Sequence, residues 1–106
     1  MQSGWRLEQL FVRRVAGRIT LLAVLENPAG ARKREEIPTP SDNPRDAIRF
    51  LARHLARRSD VDGTTRLRIR EDRNGEMTDR PEWRETFHDA FDDEREEDAF
   101  RDSLEA

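Results

Sequence analysis

The stretch Ile19 to Leu25 limits the fold more than any other part of the chain. It is apolar apart from Thr20, with Ile19, Leu21, Ala23 and Leu25 on one side and Leu22 and Val24 on the other. It is far too short to cross a bilayer, and its strand-like pattern is not that of a signal peptide. A strand apolar on both faces belongs in the middle of a sheet, with cover on both sides. The rest of the fold has to be assembled around it.

Trp5 to Arg14 reads as a partner strand, with Trp5, Leu7 and Phe11 on one face and Leu10 and Val12 on the other. Ala16-Gly17 supplies the turn between the two, Gly17 being free to take positive φ. Pro28-Ala29-Gly30 is a second turn, and Ala31 to Ile37 returns as a third strand if it pairs at all. Arg32-Lys33-Arg34-Glu35-Glu36 leaves that segment almost no buried face, so it fits only an edge, where charge guards against aggregation. Pro38, Pro40 and Pro44 then lead into a helix. Asn43 is its N-cap, Pro44 its first residue and Asp46 its third. Ala47, Ile48, Leu51, Ala52 and Leu55 form one apolar stripe, so the helix runs to about Arg58 with that face on the sheet.

Past Asp62-Gly63, Thr65 to Glu71 alternates as a half-exposed strand, Leu67 and Ile69 inward and Arg66, Arg68 and Arg70 outward. Asn74-Gly75 signals a tight turn with little strand after it. Thr78 or Asp79 caps a last helix near Pro81, whose stripe is Trp83, Phe87, Ala90 and Phe91. The pattern lapses after Asp92. Phe100 and Leu104 resume it a quarter-turn or more off the first stripe, so the helix is expected to break near residue 93 or to pack its end elsewhere. The expected fold is α+β: a small antiparallel sheet in β-β-(β)-α-β-α order, one helix packed on it, and an acidic C-terminal helix. Residues 1–92 make a single domain, and residues 93–106 an acidic, loosely held extension.

Leu, Ile, Val and Phe number 22 among 106 residues, enough for one modest core. Cysteine is absent, which excludes disulfides, zinc fingers and thiol nucleophiles. With an apolar run that neither spans a bilayer nor reads as a signal peptide, the cytoplasm is the default location. Lys33 is the single lysine beside nineteen arginines. A GC-rich genome or a halophilic organism would explain that, and the abundance of Asp and Glu fits the second. The net charge of −3 conceals a split: residues 1–73 carry 16 Lys/Arg against 10 Asp/Glu, and residues 74–106 carry 4 against 13.

One motif matches a known signature. Asp60-Val61-Asp62-Gly63-Thr64 resembles the DxDGT sequence of haloacid-dehalogenase-type phosphatases, whose first Asp is the nucleophile and second the general acid. That chemistry needs the first Asp at the end of a buried parallel strand, whereas Ala52 to Ser59 is patterned as helix. The chain is also too short for that fold's remaining strands. The same pair lacks the further oxygen ligands of a calcium loop. His54 borders the helix stripe, and His88 beside Asp89 and Asp92 offers at most a casual divalent site. No enzyme activity, cofactor or resident metal is expected.

The arginine rows are the strongest functional lead. Arg45, Arg49, Arg53 and Arg57 recur every four residues along one helix flank, with Phe50 beside them. Arg66, Arg68 and Arg70 form a second row on a strand. Guanidinium forks grip carboxylates and phosphates alike. The leading expectation is therefore protein contact, as self-association or as an adaptor. In it the rows meet acidic groups, and Trp83, Phe87 and Phe91 dock the C-terminal helix onto the body or a twin subunit. A sheet face left needing cover points to a homodimer. The runner-up is nucleic-acid binding through the same rows, with the acidic tail as a mask. A three-stranded sheet with one helix resembles some DNA-binding modules, among them arm-type domains of tyrosine recombinases, though a pI of about 5.5 argues against it.

Overall fold

The computed structural model describes residues 4–105, so the outer ends of the 1–92 and 93–106 segments lie outside it. The chain is α+β. Seven elements follow in the order β1 (Trp5–Val15), β2 (Arg18–Glu26), β3 (Arg32–Pro38), α1 (Pro44–Ala56), β4 (Val61–Arg73), β5 (Glu76–Asp79) and α2 (Trp83–Glu105). The strands form one sheet in the order β3-β2-β1-β4-β5.

The first hairpin closes on Ala16 and Gly17, both at positive φ (53° and 81°), with Val15 opposite Arg18. Two consecutive left-handed residues give the turn whose twist matches that of paired strands. β3 pairs with β2 along its whole length as a charged edge, Leu21 opposite Ile37 and Val24 opposite Arg34. The sheet is mixed rather than antiparallel. β4 runs parallel to β1, Leu10 opposite Ile69 and Phe11 opposite Arg70, because α1 carries the chain back across the sheet before β4 begins. A fifth strand also exists. Asn74 and Gly75, at φ 54° and 88°, turn β4 into β5, so the observed order is β-β-β-α-β-β-α.

The proline-rich link from β3 to α1 is fixed by backbone and side-chain bonds. Thr39 Oγ1 donates to the Ile19 carbonyl at 2.8 Å, and the Ile19 amide donates to the Ser41 carbonyl at 2.9 Å. Asn43 caps α1, its Oδ1 accepting from the amides of Arg45 at 3.0 Å and Asp46 at 3.2 Å. These satisfy amides that a helix start leaves without partners.

The core lies between one face of the sheet and both helices. Ala47, Ile48, Leu51, Ala52 and Leu55 of α1 meet Leu7, Leu10, Val12, Ile19, Leu21, Leu25, Leu67 and Ile69 of the sheet. Two expectations about faces are corrected here. A bulge shifts the β1 register between Leu7 and Gln9, so Leu7 joins Leu10 and Val12 on the helix side while Phe11 turns to the opposite face. α2 does not cover that opposite face. It packs chiefly on α1, with fewer contacts to β4, on the same side of the sheet. β2 is therefore covered by helix on one face alone. On the other, Leu22 lies between Phe11 and Glu36, and Val24 between Gln9 and Arg34, long side chains that shield both.

α2 runs without a break through residue 93. Trp83, Phe87, Ala90 and Phe91 are buried in the core cluster, the rings of Phe87 and Phe91 stacked 5.7 Å apart. No helix among the described residues is long and apolar enough to cross a membrane.

Candidate interaction surfaces

The two arginine rows lie on different sides of the molecule. α1 and α2 run side by side in the same direction: Arg45 Nη1 donates to Thr86 Oγ1 at 3.2 Å near their starts, and Arg57 Nε donates to Glu94 Oε2 at 3.0 Å near the end of α1. Between these contacts, Arg45, Arg49 and Arg53 face Glu82, Glu85, Asp89 and Asp93 across a groove of about 310 Å³. Arg49 itself pairs within its helix, 2.8 Å from Asp46. Glu94 is buried to 4% exposure. The Arg57 guanidinium, helped by the charges of Arg101 and Arg53, holds its carboxyl below the usual carboxylate range. The acidic helix thus pairs with the inner side of the first row at Arg57 and sets further carboxylates across the groove from the rest.

The outer side of that row remains in solvent. Phe50 is 41% exposed beside Arg49, Arg53, His54 and Arg57, in a shallow groove of about 610 Å³ whose far end is lined by Pro40, Asp42 and Asp46. A phenylalanine among guanidinium groups offers dispersion and charge to the same visitor.

Arg68 and Arg70 lie on the helix-free face of the sheet, since Leu67 and Ile69 between and beside them are buried under the helices. Arg68 Nε donates to Asp79 Oδ1 at 3.1 Å. Arg70 donates to Gln9 Oε1 at 3.2 Å, sits 3.8 Å from Asp79, and places its Cζ 5.3 Å from the centre of the Phe11 ring. Arg66 is exposed at φ 50°, at the register shift where Leu7 opposite Thr64 gives way to Gln9 opposite Arg68. Arg6, Arg32, Arg66 and Arg68 line a cleft of about 470 Å³ there, with Glu8 and Glu26. Both glutamates lie within ion-pair distance of Arg32, at 3.1 Å and 3.0 Å. This face is a mesh of paired charges rather than a bare cationic strip.

Asp60 precedes the first residue of β4, at the strand's beginning rather than its end. Its carboxylate takes bonds from Arg58 Nε at 2.9 Å and Nη2 at 2.7 Å, and the same guanidinium bridges to both oxygens of Glu35 at 2.7 Å and 3.1 Å. Arg58 keeps both carboxyls below their ordinary values. The junction ties the end of α1 to edge strand β3, and its spacing in sequence gave no hint of it. His88 belongs to no cluster of three or more metal-ligating side chains among the described residues.

Besides Phe50, the exposed large apolar side chains among the described residues are Val15 and Met77 at the two hairpin ends and Phe100 and Leu104 in the last three turns of α2. Arg95 donates to the carbonyls of Arg58 and Val61, and its Cζ lies 4.9 Å from the Phe91 ring centre. Beyond it, Arg101 pairs with Glu97 at 3.6 Å and Asp98 at 3.3 Å, inside the helix. Phe100 is 65% and Leu104 71% exposed. Their offset from the Trp83 stripe was visible in the sequence, and it aims them away from the core.

No protein family, curated protein or solved structure matches this chain.

Proposed function

We propose that this is a small, non-catalytic cytoplasmic protein that works through protein contacts, by self-association as a homodimer or as an adaptor. One observation carries the reading. The helices expose large apolar side chains on flanks of opposite charge: Phe50 among arginines on α1, and Phe100 and Leu104 on the acidic end of α2. An apolar centre ringed by charge is the make-up of a contact surface, where the ring sets register and the centre supplies affinity.

Nucleic-acid binding is the second reading, favoured by Arg68 and Arg70 on the helix-free face, Arg70 over the Phe11 ring, with exposed Arg66 at the end of the row. α2 lies across the sheet from that row, so a mask by the acidic tail would act on α1 alone. Both readings are tested by light scattering over a concentration series, run beside a mobility shift with single- and double-stranded DNA and RNA. The protein-contact reading expects association that grows with concentration and no shift. A chain that stays monomeric while shifting nucleic acid, with affinity falling steeply as salt rises, would reverse the order.

A further inference from the structure

From the placement of these groups we infer that the acidic end of α2 from one copy seats Phe100 and Leu104 against Phe50 on α1 of a second copy, reciprocally, in a two-fold dimer. This rests on the protein-contact reading and names its surface.

The chain cannot make the contact with itself. Arg57 stands beside Glu94, so helix rise places Phe100 about 9 Å past that level and Phe50 about 10 Å before it. The two rings are thus separated by roughly 20 Å along parallel axes. α2 runs on past the end of α1.

Charge selects the occupant. Apart from Glu94, which is buried against Arg57 of its own chain, residues 93–105 carry Asp93, Glu96, Glu97, Asp98, Asp102 and Glu105 against Arg95 and Arg101. Two such ends packed on each other would set like charges together. The outer flank of α1 sets Arg49, Arg53 and Arg57 around an exposed aromatic, against Asp42 and Asp46 on the same groove. Arg49 is held by Asp46 and Arg57 by Glu94, so Arg53 is the cation of the three with no ion pair to a carboxylate among the described residues. A two-fold axis then makes the contact twice, each copy giving one acidic end and receiving the other.

Sedimentation velocity of the full chain tests this with three samples beside wild type: Phe100→Ser with Leu104→Ser, Phe50→Ser alone, and an equimolar mixture of the two variants. The substituted residues are exposed, and circular dichroism verifies that each variant remains folded. Wild type should dimerise, and each variant alone should dissociate at least about tenfold more readily. The mixture should regain association, because a mixed pair keeps one intact contact where each pure variant keeps none. If the α2 variant dissociates while Phe50→Ser dimerises normally, acidic ends meet each other and the inference is wrong, although protein contact stands. A wild-type chain monomeric at every concentration overturns the inference and removes self-association with it.

Discussion

Replacing Phe87 with alanine tests whether α2 belongs to the folded body or rests on it. The ring is fully buried, stacked on Phe91 and enclosed by the cluster that also holds Leu51 and Ile69. Truncation of a buried phenylalanine costs about 3–5 kcal/mol, which already includes the cavity left behind. A domain of this size has about 5–15 kcal/mol in all, so the loss is a large share. With a urea dependence of about 2 kcal/mol per molar, the midpoint should fall by roughly 2 M. Urea titration followed by far-ultraviolet circular dichroism measures it, and fluorescence of Trp83 in a Trp5→Phe background reports on α2 alone. The two probes should move together. A midpoint shift below about 0.3 M, or Trp83 melting well ahead of the sheet, would refute the docking argument.

Asn43→Ala removes two capping bonds from α1 and should cost about 0.5–2 kcal/mol, read from the same titrations, while Asn43→Gly should cost only tenths. Arg58→Met tests the junction of α1, β3 and β4. Glu35 and Asp60 have folded values depressed below their ordinary 4.5 and 3.8 by Arg58, so their stabilisation is present above those values and is lost as pH falls through the depressed ones. The variant should be the less stable at neutral pH, with the gap closing below about pH 4. A gap constant from pH 7 to pH 3 would show that packing, not the ion pairs, set the difference.

Much of the fold was legible because it follows from local chemistry. Asn43-Pro44 before a 3.6-residue stripe marks a helix start, Ala16-Gly17 marks a hairpin, and Asn74-Gly75 marks a tight turn. What escaped depends on partners distant in sequence. No feature of Thr65 to Glu71 states whether its neighbour runs parallel or antiparallel, since the path of α1 decides that. The bulge near Glu8 inserts one residue and moves Phe11 to the other face, an event without a compositional mark in β1. β5 is missed because all four of its residues are exposed, so it has no apolar alternation to read. The same limit applied to the surfaces. Spacing identified both arginine rows, but only the mixed sheet shows that one faces α2 and the other the uncovered side. Phe100 and Leu104 were visible as an offset stripe, and their distance from Phe50 was not.

The absence of cysteine permits a direct test of which surfaces meet. Chains carrying His54→Cys, beside Phe50, are mixed with equal amounts of chains carrying Ser103→Cys, beside Leu104, and oxidised under native conditions. The account predicts that the mixed 54–103 disulfide dominates, identified by mass spectrometry of the cross-linked peptide. Products confined to 103–103 and 54–54 pairs, or no cross-link at concentrations where the protein dimerises, would contradict it.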